Sequence, residues 1–346
     1  MGTLLYVSPS SVRIHRMRAL HRISHLFILA SLLACQASGL FATPAPTSTV
    51  TAAFTAIPPP TSTATFTPTP RPIEKRVIIV SIDGLRPEAI EMTPMLNIMQ
   101  MMDEGAYSLT ARTIFPSATL PAHASMLSGL CPSKHGVTWN DYLPENGYAV
   151  GGDLFDLVHS FGLQTAMFVG KEKLRQVTEP SSIDEFVFIN DRDTVIMEQL
   201  IANFPQDFSL MFIHLPTTDD MGHVHGWLSA EQLSVTWRAD DALGMLMDEL
   251  DARGIGDETT VIVTADHGGH GKEHGSYLEE DMTIPWIITG PDVVPGFIGT
   301  TVHTMDTAAT AAHVLGLSIP AEWDGVPVSE VFDGVPDTTR PFIVCE

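Results

Sequence analysis

The sequence predicts an α/β fold: a three-layer αβα arrangement around a central, mostly parallel sheet. Three observations carry that expectation. Short β-branched runs without polar alternation recur from about residue 74 onward, stretches of helical periodicity separate several of them, and acids stand at the ends of three runs. Strands without alternation are buried on both faces of a parallel sheet, and such a sheet needs helices on either side.

In chain order, the first segment is residues 1–35. Basic residues up to Arg22 precede the apolar run Leu26 to Ala34, which is shorter than the ~20 residues of a spanning helix. The run closes on Leu32-Leu33-Ala34-Cys35, which resembles a bacterial lipoprotein cleavage box with Cys35 as the lipidated first residue. Met17 is a plausible start, since it leaves a basic region of ordinary length. A plain secretory signal or an uncleaved anchor is the alternative, and all three imply export. The expected location is the outer side of a bacterial membrane, held there by the lipid, or otherwise the secreted fraction.

Residues 36–73 form the second segment. From Thr43 to Pro72 it is Thr, Pro, Ser and Ala with few large side chains, too little apolar surface to offset chain entropy. A Thr/Pro-rich disordered linker is expected, reaching roughly 90 Å at ~3.1 Å per residue. A glycosylated stalk fits the same composition.

Residues 74–346 are expected to be the catalytic domain. Its strands read RVIIVSI, QTAMFVG, EFVFIN, FSLMFIHL, TTVIVTA and PWIITG. Early in it, PMLNIMQMMDE predicts a helix capped by Thr93 with Pro94 in its first turn, and Glu231 to Arg253 predicts a long one. No internal repeat is visible. The formal charge is −23, and leaving out the four arginines before Cys35 gives 14 bases against 41 acids, or −27. That sign opposes binding of nucleic-acid polymers or anionic headgroups through the general surface. A negatively charged small substrate would need local positive charge, which bound cations can supply. After Cys35 only Cys131 and Cys345 remain, too few for a disulfide framework, and the sequence does not say whether they pair.

The chemistry gathers at strand ends. RVIIVSI runs into Asp83-Gly84, SLMFIHLPTT into Asp219, and TTVIVTA into Asp266-His267-Gly268. Ligands of open α/β sheets bind outside the carboxyl ends of strands, so acids distant in sequence can converge there. One acid at a strand end is often only a helix cap; three, two of them near histidines, are harder to explain so. His223 follows Asp219 by four residues, His267 follows Asp266 directly, and His270, His274 and His303 lie downstream. Mixed imidazole and carboxylate ligands favour zinc, with manganese the alternative, and the set suffices for two divalent ions. The nucleophile is expected at Thr119 in FPSATLPAHASMLSG, at the N-cap of a short helix that stops at Gly129, where amides and the dipole favour an anion. A threonine hydroxyl needs its pKa lowered before it can attack, and a metal ion does this directly.

VSIDGLRP, FPSATLPAHASMLSGLCPSKHGVTWN, TTDDMGHVHG and TADHGGHGKEHG together resemble the alkaline phosphatase superfamily, in particular its type I phosphodiesterase/nucleotide pyrophosphatase branch. The resemblance covers most of residues 76 to 340. It implies one metal on Asp83, Thr119, Asp266 and His267, and a second on Asp219, His223 and His274, with His270 and His303 competing for the last place. It further implies a phospho-threonine at Thr119 during hydrolysis of phosphate diesters or pyrophosphates. Asn140, in HGVTWN, would bind a non-bridging oxygen.

Departures from the family bear on substrate. Leu120 stands where nucleotide-specific members place a stacking ring, and Lys171 and Lys173 resemble the lysine pair with which phosphonoacetate hydrolases hold a carboxylate. Phosphonate hydrolysis or phosphomonoester hydrolysis on the same centre is therefore the alternative. A non-catalytic surface-binding lipoprotein is the alternative from another class. The sulfatase branch is disfavoured, since it needs Cys or Ser, then Pro and Arg, where this chain has Thr119-Leu120-Pro121-Ala122-His123. The length from Asp83 to Glu346 leaves little room for a large inserted cap, so an open centre is expected.

Overall fold

The computed structural model describes residues 75–345. The signal segment, Cys35 and the Thr/Pro-rich linker lie outside the described residues.

Eight strands form one sheet: β1 (Arg76–Ile82), β2 (Ala106–Arg112), β3 (Gln164–Val169), β4 (Glu185–Phe188), β5 (Phe208–Leu215), β6 (Thr259–Thr264), β7 (Thr283–Thr289) and β8 (Gly296–Phe297). Their order is β4-β3-β5-β1-β6-β7-β2-β8. From β4 through β6 every neighbouring pair is parallel, and β7 runs antiparallel to both β6 and β2. Every residue of β1, β5 and β6 is buried, as their unbroken apolar runs predict. Each fully buried Val, Ile, Leu or Phe contributes about 1.5–3 kcal/mol, so this double-sided burial dominates the fold's stability.

Helices cover both faces. Leu96–Glu104, Asp193–Ala202 and Thr217–His225 pack on the long helix Ala230–Arg253 on one side, while Thr119–Ser128, Leu154–Ser160 and Asp306–Val314 pack together on the other. The long helix begins where Ser229 accepts a hydrogen bond from the Gln232 amide, and ends at Gly254 in the left-handed region. The early helix differs from expectation. Pro87–Met92 forms a separate turn, Thr93 ends it, and the next helix starts at Leu96 with Met95 as its N-cap. Pro94 restricts Thr93 to extended backbone, so the helix expected from residue 94 begins two residues later, behind a separate short helix. Among the described residues no helix is long and apolar enough to cross a membrane. Cys131 and Cys345 form a disulfide that joins the far end of the described chain to the segment after Thr119–Ser128.

Candidate metal centre and nucleophile

The sheet order places four consecutive parallel strands side by side: β3, β5, β1 and β6. Just beyond their carboxyl ends stand Lys171, Asp219, Asp83 and Asp266-His267 respectively. Asp219 is the third residue of helix Thr217–His225, whose following turn carries His223 on the same face. Gly84 turns the chain directly after Asp83 at φ +69°, where a Cβ would lie 3.2 Å from Asp219 Cα. Its amide donates to Asp266 Oδ1 at 3.1 Å, tying the ends of β1 and β6 together.

Two clusters result. Asp83, Asp266 and His267 form one, wholly buried; Asp219, His223 and His274 form the other. His267 Nε2 lies 3.4 Å from Asp83 Oδ1 and 3.3 Å from Asp266 Oδ2. His223 Nε2 and His274 Nε2 lie 3.4 and 3.7 Å from Asp219 Oδ1. Ligands about 2.0–2.1 Å from a tetrahedral ion stand roughly 3.3–3.4 Å apart, so these spacings suit a zinc-like ion. The rings of His267 and His274 stack at 3.8 Å, which makes the clusters neighbours.

The donor atoms are left open toward those centres. Among the described residues thirteen buried side-chain atoms have no hydrogen-bond partner. Five of them are Asp83 Oδ1, Asp219 Oδ1, Asp266 Oδ2, His267 Nε2 and Thr119 Oγ1. Buried polar atoms without partners cost free energy, so their convergence fits a cation better than an empty polar void. The histidine tautomers agree. His223, His267 and His274 donate Nδ1–H to the carbonyls of Lys272, Gly268 and Ser117 at 2.9, 2.7 and 2.9 Å, leaving each Nε2 as a free acceptor facing its cluster. Burial lowers the His267 pKa, and burial with the His267 charge takes His274 down to about 4. Both shifts favour the neutral imidazole, the form that ligates metals.

Electrostatics separate the carboxylates. Burial pushes Asp266 well above its usual range, and the Asp83 charge adds to this. Burial alone would raise Asp83 too, but Lys171 and His214 hold it well below.

His270 and His303 do not join the clusters. His270 Nδ1 pairs with Asp281 Oδ1 at 2.7 Å, and His303 packs beside Asp306 and Phe342. Thr119 is the first helical residue, and the N-cap is Ala118, one position earlier than expected. Its hydroxyl is thus free of capping duty. Its carbonyl accepts from His123 Nδ1 at 2.7 Å, and Gly129 closes the helix at φ +69°.

Leu120 is corrected. Its side chain is fully buried in the core, so it faces away from any substrate, and only its amide meets the site, donating to Asn140 Oδ1 at 2.9 Å. Lys171 and Lys173 both reach the site but carry protein partners. Lys171 Nζ contacts Asp83 and Asp219, and Lys173 Nζ donates to Asn140 O at 3.0 Å and Oδ1 at 3.1 Å.

Two histidines escaped the sequence reading. His214 accepts the Gly170 amide at Nδ1 and donates Nε2–H to Asp83 Oδ2 at 2.9 Å. His123 accepts at Nε2 from Ser81 Oγ at 2.8 Å, with Nδ1 3.5 Å from Asp266 Oδ2. The available signal was a lone imidazole inside the apolar run FSLMFIHL, and another one helical turn after Thr119.

With this geometry in place, sequence comparison is decisive. The family described as type I phosphodiesterase / nucleotide pyrophosphatase matches residues 77–153 and 165–283, more than half of the chain and all of both clusters. The chain belongs to that family. It is 29% identical over 214 residues to rat (Rattus norvegicus) ectonucleotide pyrophosphatase/phosphodiesterase family member 3, covering 56% of this chain and 24% of that protein. To the bis(5'-adenosyl)-triphosphatase enpp4 of Xenopus laevis it is 26% identical over 216 residues, covering 56% and 47%. The chain thus spans about a quarter of the first relative's length and under half of the second's. Among solved structures, murine ectonucleotide pyrophosphatase / phosphodiesterase 5 in complex with AMP aligns at TM-score 0.62 and 16% identity, over 71% of this chain and 96% of that one. A phosphonate monoester hydrolase from Silicibacter pomeroyi aligns at TM-score 0.60 and 14% identity, over 77% and 78%. At such identities these two likenesses concern the fold alone, the alkaline phosphatase-like three-layer arrangement.

Proposed function

We propose that this member of the type I phosphodiesterase / nucleotide pyrophosphatase family is an exported, metal-dependent hydrolase of small phosphate diesters or pyrophosphates, acting through a phospho-threonine at Thr119. The observation that carries this reading is the coincidence of unpartnered atoms. Four ligand atoms from both clusters are buried, unbonded and grouped at one sheet edge, and the Thr119 hydroxyl is likewise buried without a partner. The named relatives, a pyrophosphatase/phosphodiesterase and a dinucleoside triphosphatase, support the reaction class.

Asp83, Asp266, His267 and Thr119 would hold one ion, and Asp219, His223 and His274 the other. When bound, two divalent ions, zinc by donor type with manganese the alternative, would offset phosphoryl charge and lower the pKa of the hydroxyl and of water. The rest falls to the chain. Thr119 Oγ attacks phosphorus; the Oγ–P bond forms as the bond to the leaving oxygen breaks, and that oxygen takes up a proton from solvent. Asn140 Oδ1 is occupied by the Leu120 amide and Lys173, which leaves its Nδ2 free to donate to a non-bridging oxygen. Water then attacks the same phosphorus, the Oγ–P bond breaks, a phosphomonoester leaves with the remaining substituent, and Thr119 Oγ takes back a proton.

Thr119→Ala should lower turnover of an aryl phosphodiester by at least about 10³-fold while the protein keeps about two ions. Undiminished turnover would remove Thr119 from the mechanism. Rates on an aryl diester, an aryl monoester and phosphonoacetate, measured side by side, decide substrate class. A large preference for either of the last two would replace the diesterase reading. A protein that takes up no metal and turns over none of them would be a surface-binding lipoprotein instead.

Export rests on the basic and apolar residues 1–35, with Cys35 as lipid anchor and residues 36–73 as tether. The Cys131–Cys345 disulfide suits an oxidising compartment and supports that placement.

A further inference from the structure

The centre contains a cation of its own. Lys171, two residues beyond β3, places Nζ 2.7 Å from Asp83 Oδ2 and 2.5 Å from Asp219 Oδ2, with only 16% of its side chain exposed. These aspartates belong to different clusters. In both, the oxygen that Lys171 leaves alone, Oδ1, is the one without a partner and the one facing its cluster's histidines. Asp83 Oδ2 has a second donor in His214 Nε2 at 2.9 Å, so that oxygen is fully engaged by protein.

We propose that Lys171 is a positioning residue that ties the two metal-binding clusters together, holding Asp83 and Asp219 so that each offers a single oxygen to its ion. This rests on the two-cluster reading above. A carboxylate with one oxygen anchored cannot rotate freely about its Cβ–Cγ bond, so its second oxygen is aimed before any ion arrives. One ammonium shared between two carboxylates fixes their separation and with it the spacing of the clusters. It also offsets part of the repulsion among three aspartates in one buried site. Two of its three donor hydrogens are thereby used; Asp220 Oδ1, at 4.0 Å, is beyond hydrogen-bond reach. Little of Lys171 remains to hold a substrate carboxylate, the role its resemblance to phosphonoacetate hydrolases implied.

The test is zinc titration, by calorimetry and metal content, of chelator-stripped wild type, Lys171→Met and Lys171→Arg. Wild type should take up about two ions; failure there overturns the two-cluster reading itself, and this proposal with it. Lys171→Met should bind zinc about 10–100-fold more weakly, or retain fewer ions, the usual effect of losing a residue that orients metal ligands. Lys171→Arg, keeping the charge with a different fork, should lose less. Circular dichroism of the stripped proteins checks folding. If Lys171→Met does not fold, a several-fold loss of zinc affinity in Lys171→Arg is the supporting result, and wild-type affinity there the overturning one. In a folded Lys171→Met, zinc affinity equal to wild type overturns the proposal and returns Lys171 to substrate. Tighter binding also overturns it, by making the lysine a mere competitor for the metal sites.

Discussion

Asn140 and Lys173 are joined by contacts that bear on the role proposed for Asn140. The Asn140 amide is oriented because two donors, the Leu120 amide and Lys173 Nζ, occupy Oδ1. Burial, with the neighbouring Lys171 charge, lowers the Lys173 pKa. Removing an oxyanion donor outright costs about 10²–10³ in kcat, so Asn140→Ala should lose about that much on an aryl diester. Lys173→Met should lose less, about 10-fold in kcat with KM little changed. The double variant should match Asn140→Ala alone, because the lysine acts through the asparagine. Additive losses, or a defect confined to phosphonoacetate, would place Lys173 on the substrate instead. The residue types of this site were legible in the sequence, since acids after buried strands and histidines at short spacing announce metal chemistry. His274 was preferred over His270 and His303 through the family resemblance alone, since the residues by themselves left all three open: the physical choice depends on which remote carbonyl orients each ring. For His274 that carbonyl is Ser117's, far away in sequence.

Elements behaved as their patterns predicted where burial was complete and differed where it was not. The fully apolar runs became β1, β5 and β6, while the half-exposed helix expected from Pro94 starts only at Leu96, after a short helix that the pattern did not announce. The helix Leu154–Ser160 carries a testable consequence. Asp153 caps it in a reciprocal box with Asp156, the two side chains meeting each other's amides at 3.0 and 3.2 Å. Burial, with the Asp156 charge second, raises Asp153 to about 7. An acid raised on folding is favoured in its neutral form, so its contribution is full below the unfolded value near 3.9 and is lost as pH rises through about 7. Asp153→Asn keeps a good cap but cannot ionise. In urea unfolding, wild type should therefore lose stability relative to the variant between pH 5 and 8. A difference that stays constant with pH would absolve this carboxyl.

At the scale of the described chain, Cys131–Cys345 is a link spanning 214 residues. Around it pack Ile114, Ala122 and Met305, close to the start of helix Thr119–Ser128. Cross-links over long loops restrict the unfolded chain, and losing a native one typically costs about 2–5 kcal/mol. A double Cys131→Ser, Cys345→Ser variant should accordingly unfold at lower urea concentration while its zinc uptake stays near two ions. An unchanged midpoint would mean that this end frays independently of the core. The sequence supplied both cysteines without their pairing, since nothing local brings residues so distant together.

By itself the sequence indicated the layer architecture and six of the eight strands, leaving β2 and β8 unread, and its motifs carried the family resemblance and the kind of chemistry expected at the centre. The layers and the place of the site follow from local pattern: unbroken β-branched runs must be buried on both faces, and acids and histidines placed after them stand at one edge. Only the tertiary structure decided which side chains meet. Strand order set β3, β5, β1 and β6 side by side, and packing between remote segments then aimed the atoms. It put Leu120 in the core, brought His214 to Asp83 and His123 to Asp266, and lodged Lys171 between two aspartates. Those contacts join residues 48 to 143 positions apart, from Lys171–Asp219 to His123–Asp266. No local pattern encodes them, because each exists only once long-range packing has fixed both partners.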